Sequence, residues 1–141
     1  MRGKPAEPAV CPDCLAVFHG GRWQWLERPA GAEEIVCPAC HRSRDRFPAG
    51  FVDLDGPFCA AHREEILGLI RHHAEQARAA HPLKRLMAIE DSGGDSPGLR
   101  LTTTDIHLAR ELGEALHSAY QGELEFHYND AENLLRVHWQ R

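Results

Sequence analysis

Five cysteines and ten histidines are the residues of this 141-residue chain with the most chemistry to offer. Four of the cysteines form two turns of one pattern, Cys11-Pro12-Asp13-Cys14 and Cys37-Pro38-Ala39-Cys40. Two residues between cysteines let both sulfurs of a turn face one point. Two such turns supply the four thiolates that tetrahedral Zn²⁺ takes in a closed structural site. The spacer, residues 15–36, is slightly longer than the roughly 15–20 residues usual for this arrangement, and a hairpin loop absorbs the excess. The spacing therefore predicts one structural Zn²⁺ on Cys11, Cys14, Cys37 and Cys40. Thioredoxin-like redox chemistry would need a strand–helix–strand setting, which the flanks lack. With sulfur in all four positions, no coordination site stays open for a water nucleophile.

Three further groups of residues offer chemistry, each with a plainer reading beside it. Arg22, Trp23, Trp25, Arg42, Arg44 and Arg46 concentrate charge and aromatic rings near the cysteines, a candidate surface for gripping phosphates and stacking unpaired bases. In the plainer reading the arginines offset thiolate charge and pair with Asp45 or Glu33, and the tryptophans close a small core; for the tryptophans this is the expectation. Cys59-Ala60-Ala61-His62 has ligand-like spacing and would need His41 or His19 to make a second metal site. Lacking another ligand pair, it reads instead as a half-buried thiol beside a helix-surface histidine. His72 and His73 diverge on a helix, and His107 and His117 fall on a wet face, so the histidines form no cluster. Thr103, Thr104, His107 and Arg110 gather at an expected helix start and make a candidate anion site. Asp105 would occupy that same positive helix end, which favours a strand end followed by a well-capped helix. No nucleophile–base–orienter set, Walker loop or paired-carboxylate motif stands out.

The elements that must position these residues can be read in order. Residues 1–10 are expected as a flexible tail, and 11–58 as a zinc ribbon. Within the ribbon, Leu15-Ala16-Val17-Phe18 and Arg22-Trp23-Gln24-Trp25-Leu26 form a hairpin around Gly20-Gly21. Such a ribbon buries too little apolar surface to fold without its metal. His41 to Phe58 reads as an ordered loop with a short strand near Phe51-Val52-Asp53-Leu54. Residues 59–82 are a connecting helix that enters at Gly56-Pro57, carries the stripe Ile66, Leu67, Ile70, Ala74 and Ala77, and stops near Ala80 before Pro82.

Residues 83–141 are expected as a ββαββ antiparallel unit, so that the whole is α+β. Its first strands, Leu86 to Glu90 and Leu99 to Thr104, flank a flexible loop over 91–98. The helix after Thr104 or Asp105 buries Ile106, Ala109, Leu112, Leu116 and Ala119. In the last hairpin a turn centred on Asp130-Ala131 pairs Phe126 with Leu135, Leu124 with Val137 and Glu125 with Arg136.

Composition is that of a soluble globular chain: 43% hydrophobic and 26% charged residues exclude wholesale disorder. A formal charge of −5 argues against coating nucleic acid by charge alone, so any such contact must be local. No apolar run has the length of a membrane span, and Arg2 and Lys4 precede no signal-like core. Four of the five cysteines in a metal-binding pattern, with Cys59 outside it, suit a reducing, cytoplasmic setting. The oligomeric state leaves no mark in the sequence.

The paired cysteine turns, Arg44-Asp45-Arg46 and Thr103-Thr104-Asp105-Ile106-His107-Leu108-Ala109-Arg110 together resemble a group of small uncharacterised bacterial zinc-ribbon proteins. That group is labelled by similarity to the nonsense-mediated-decay-associated adaptor for large-ribosomal-subunit export. The resemblance to the group spans nearly the whole chain. To the adaptor it is partial, because the adaptor family carries additional cysteine pairs and this chain has two pairs and a lone Cys59. The resemblance implies Cys11, Cys14, Cys37 and Cys40 as metal ligands and implies no catalytic residue. The expectation is thus a non-enzymatic adaptor that binds RNA, the ribosome or a protein partner. Two alternatives stand beside it: a thiol-based redox sensor that releases zinc on oxidation, and an enzyme using the Thr102–His107 region.

Overall fold

A computed structural model describes residues 5–92 and 98–141. Among these residues, two sheets and four helices make an α+β fold. The smaller sheet is built from β1 (Ala9–Val10), β2 (Val17–His19), β3 (Arg22–Gln24) and β4 (Glu33–Glu34), in the order β3-β2-β1-β4. The β2–β3 hairpin pairs His19 with Arg22. Its two connecting residues, Gly20 and Gly21, both have positive φ, +63° and +80°. A two-residue turn whose twist matches the strands demands that conformation at both positions, and glycine adopts it without a Cβ penalty.

Residues 9 and 10 depart from the expected tail. Ala9 and Val10 are fully buried, β1 pairing antiparallel with β2 and parallel with β4. A two-residue strand carries no periodicity to reveal it, and its place comes from partners on both sides. Residues 1–4 lie outside the described residues.

After α1 (Pro38–Asp45), the larger sheet begins with β5 (Gly50–Asp55). The chain continues through α2 (Pro57–Ala61), α3 (Arg63–Ala80), β6 (Leu86–Asp91), β7 (Leu99–Thr103), α4 (Ile106–Tyr120), β8 (Glu123–Asn129) and β9 (Leu134–Gln140). The expected connecting helix breaks at His62, φ −115° and ψ 31°, and ends at Ala80 as its sequence predicts. The expected loop at 91–98 falls largely on residues 93–97, outside the described residues.

Residues 83–141 contribute β6, β7, α4, β8 and β9 in chain order, with both hairpins antiparallel, but they do not close a separate ββαββ sheet. The sheet itself is not purely antiparallel. Its order is β6-β7-β5-β9-β8, with β5 at the centre, antiparallel to β7 and parallel to β9. Residues 50–55 thus belong to this sheet and not to the ribbon. The two stretches that connect parallel strands, β5 to β6 and β7 to β8, leave in opposite directions from antiparallel strands. Right-handed crossovers then put α3 and α4 on the same face.

On that face Val52, Leu54, Leu101, Val137 and Trp139 pack against Ile66, Ile70, Leu108, Leu112 and Leu116 in one core. Ala119, expected in the buried stripe of α4, is exposed, and Leu108 and Gly113 are buried instead. The opposite face presents Phe51, Asp53, Arg100, Arg136 and His138, bordered at one end by α1. The last hairpin pairs Leu124 with Trp139, Phe126 with Val137, Glu125 with His138 and Tyr128 with Leu135. This differs from the expected register by two residues, a slip that keeps every side chain on its face because the strand period is two.

Candidate metal centre

Each cysteine pair sits in a turn that the backbone closes locally. After β1, the Cys11 amide donates to the Ala16 carbonyl at 2.8 Å and the Leu15 amide to the Cys11 carbonyl at 2.9 Å. Leu15 closes this turn with φ +71°. The second pair opens α1, with Cys37 as N-cap: its sulfur accepts the Cys40 amide at 3.4 Å and Pro38 takes the first helical position. Proline suits that place because its missing N–H would have no helical partner there. A helix start with sulfur as the capping acceptor thus aims Cys37 and Cys40 the same way.

The four sulfurs lie within 4.8 Å of one another, positioned to hold one metal ion. All four are free thiols, and the Cys14 and Cys37 sulfurs are 3.8 Å apart. Cys11, Cys37 and Cys40 are buried and Cys14 is half-buried. Burial pushes the Cys37 thiol up, as does repulsion from Cys14, Cys11 and Cys40. Burial also raises Cys40, against the opposing pull of Arg85. At Cys11 burial acts in the same upward sense, but backbone hydrogen bonds from Cys37, Cys14 and Asp13 outweigh it and bring the thiol down to about 7. As thiolates, four sulfurs this close in a largely buried site would need a cation to hold their charge.

One basic residue that the sequence reading passed over completes the centre. Arg85 is 9% exposed, and its guanidinium donates to the Cys40 sulfur at 3.2 Å and the Cys37 sulfur at 3.5 Å. Its Nε donates to the Pro82 carbonyl at 2.9 Å. Burial alone would lower the Arg85 pKa, but the hydrogen bond to Cys40 and the charge of the neighbouring sulfurs raise it. Nothing local marks this residue, since it lies 45 positions from Cys40. The one hint is a cation at the entrance of an apolar strand, Arg85-Leu86-Met87-Ala88-Ile89.

The candidate basic and aromatic surface does not form one patch. Trp23 packs on Phe18 with ring centroids 5.4 Å apart and lies against the cysteine cluster. Trp25 donates its indole N–H to the Arg78 carbonyl at 2.7 Å, tying the ribbon to α3. Arg44 pairs with Asp13 at 2.6 Å, and Arg22 is exposed at the start of β3. Arg42 and Arg46 remain together at the end of α1, flanking Phe47, which is 64% exposed and lies under the Arg42 guanidinium. Arg46 also lines a groove of about 570 Å³ with Pro48, Phe51, Arg100 and Thr102. There Phe51 takes the guanidiniums of Arg100 and Arg136 over its ring, at 5.2 and 4.5 Å.

The candidate anion site has its hydroxyls engaged within the fold. Thr103 Oγ1 donates to the Asp105 carbonyl and Thr104 Oγ1 to the Leu83 carbonyl, at 2.8 and 2.6 Å. Asp105 caps α4, accepting the Leu108 amide at 2.8 Å. Arg110 lies over the Phe126 ring, and His107 is exposed. Cys59 is buried in the main core and His62 stacks on Phe58, their rings 4.0 Å apart. Among the described residues, the four paired cysteines are the one group placed to hold a metal ion.

Compared with known proteins, the chain matches no family model, no curated protein and no solved structure. Among the described residues, no helix is long and apolar enough to cross a membrane.

Proposed function

We propose that Cys11, Cys14, Cys37 and Cys40 hold one structural Zn²⁺ and that the protein is a non-enzymatic cytoplasmic adaptor that binds single-stranded RNA. The convergence of four cysteine sulfurs within 4.8 Å, three of the cysteines buried and Cys14 half-buried, carries the metal assignment. Around an ion with zinc–sulfur bonds of about 2.3 Å, a tetrahedron of sulfurs has edges of about 3.8 Å. The Cys14–Cys37 separation of 3.8 Å matches that edge. Four sulfur ligands close the coordination sphere, so the metal's work is to hold the ribbon together and shape what surrounds it.

The RNA reading rests on the corner where α1 meets the open face of the larger sheet. Arg42 and Arg46 flank exposed Phe47, and Arg136 lies over Phe51 on the neighbouring surface. Guanidiniums beside aromatic rings suit phosphates and unstacked bases together, and a local patch of this kind fits a chain with a net charge of −5. The resemblance to the bacterial zinc-ribbon group labelled after an export adaptor points the same way, with ribosomal RNA as one source of the ligand.

Fluorescence anisotropy with a short single-stranded RNA, and sedimentation with purified ribosomal subunits, separate the free and ribosomal sources. Replacing Arg42, Arg46 and Arg136 together by Glu should abolish binding to both. If the wild-type chain binds neither at low salt, the RNA reading fails and a protein partner takes its place.

A further inference from the structure

Arg85 reaches the cysteine cluster from the far unit of the fold. It lies between Pro82 and β6, in the segment that leads into the edge strand of the larger sheet, and it hydrogen-bonds one sulfur pair of the ribbon. Both of these sulfurs, Cys37 and Cys40, come from the pair that opens α1. Leu83 packs against the same cluster, so the segment makes an apolar contact and a charged one at once.

Its anchoring is unusually complete. The Arg85 amide donates to Thr104 Oγ1 at 2.9 Å, the Thr104 amide returns to the Arg85 carbonyl at 2.9 Å, and the side chain is braced on the Pro82 carbonyl. A flexible arginine would lose rotamer freedom on binding two sulfurs; one already held in place loses little. Thr104 in turn follows the last residue of β7 and precedes Asp105, the cap of α4. The line from sulfur through Arg85 and Thr104 to α4 is therefore continuous.

Resting on the zinc reading, we infer that Arg85 is an outer-sphere residue of the metal centre that couples metal loading to the docking of the ribbon on the larger sheet. The charge arithmetic supports it: four thiolates on one Zn²⁺ carry a net charge of −2, and a buried guanidinium beside them offsets half of it. With the metal in place, the sulfurs stay converged where Arg85 can bind both. When the metal leaves, nothing holds the sulfurs at that point, and a guanidinium that is 9% exposed loses the partners that make its burial tolerable. The ribbon then parts from the sheet, and the contact of Trp25 with the Arg78 carbonyl parts with it.

Two measurements on the full chain test the assignment. Zn²⁺ affinity by competition with a chromophoric chelator should fall about 10–100-fold in Arg85→Met, as for other residues that orient metal ligands, and recover in part in Arg85→Lys. In amide and indole NMR spectra of the wild type, stripping zinc should move the signals of residues 83–86, Thr104 and the Trp25 indole. The Trp139 indole, which donates to the Gln121 carbonyl in the main core, should stay in place. In Arg85→Met the 83–86 and Thr104 signals should no longer respond to zinc.

Should Arg85→Met fail to fold, Thr104→Val, which loosens the anchor and spares the guanidinium, should lower the affinity by a smaller factor. Equal zinc affinity in wild type, Arg85→Lys and the folded Arg85→Met or Thr104→Val would overturn the inference and leave the zinc site standing. So would a Thr104 signal indifferent to zinc in the wild type. A wild-type chain that takes up no zinc would overturn both.

Discussion

Thr104 and Arg85 hold each other through a reciprocal pair of hydrogen bonds, amide to hydroxyl and amide to carbonyl, each 2.9 Å long. The Thr104 hydroxyl also donates to the Leu83 carbonyl. Thr104, a candidate anion ligand by sequence, is thus a fastener inside the fold. Thr104→Val keeps the shape and leaves the Arg85 amide without its acceptor, at a cost of about 1–3 kcal/mol. Urea unfolding should show that loss, and added phosphate should not restore it.

Gly113 and Gly68 make a matched pair of helix glycines with opposite expectations. A Cβ at Gly113 would lie 2.6 Å from Val137 Cγ1 and 3.0 Å from Leu124 Cδ1, because α4 approaches the sheet closely there. At exposed Gly68, in α3, it would meet nothing within 4 Å. Gly113→Ala should destabilise by about 1–3 kcal/mol through overpacking. Gly68→Ala should stabilise by about 0.5–1 kcal/mol, since alanine restricts the unfolded chain and suits a helix. Thermal melts of the two variants should shift in opposite directions.

How far the fold was legible depended on how local its causes are. The cysteine turns, the Gly20-Gly21 hairpin and the Asp105 cap each declare themselves within a few residues, and each is found in the structure. Helix α1 was missed because it has almost no apolar stripe: only Ala39 and Cys40 are buried, and its start is set by sulfur capping. Strand β5 reads in the sequence as a minor piece of the ribbon, since its partners Leu101 and Val137 are far along the chain. Arg85 was invisible for the same reason, its chemistry being supplied wholly by cysteines of the other unit. The hairpin register slipped by two because turn length, not side-chain alternation, decides between registers that share a face.

Salt dependence provides a further check on the RNA reading. If Arg42, Arg46 and Arg136 each neutralise one phosphate, a plot of log affinity against log salt should have a slope of about −2 for a single strand. Each Arg→Glu change should flatten it. A slope near zero with binding intact would place the ligand on uncharged contacts and contradict the assignment.

Burial raises the Cys59 thiol above its ordinary value of 9.0, and nearby Asp55 adds to the effect. Its protonated form is therefore favoured in the fold. The associated stability is present at neutral pH and is lost as pH rises above about 9. At pH 8 the native Cys59 should resist alkylation by iodoacetamide and react only after unfolding, as peptide mapping can follow. Rapid labelling of the folded chain would contradict its place in the core.

Metal content of freshly reduced protein, purified without chelators and read by elemental mass spectrometry, tests the central assignment most directly. The account predicts one zinc per chain, lost when Cys37 and Cys40 are both replaced by Ser. Less than about half a zinc per chain in the wild type would contradict a tightly held structural site.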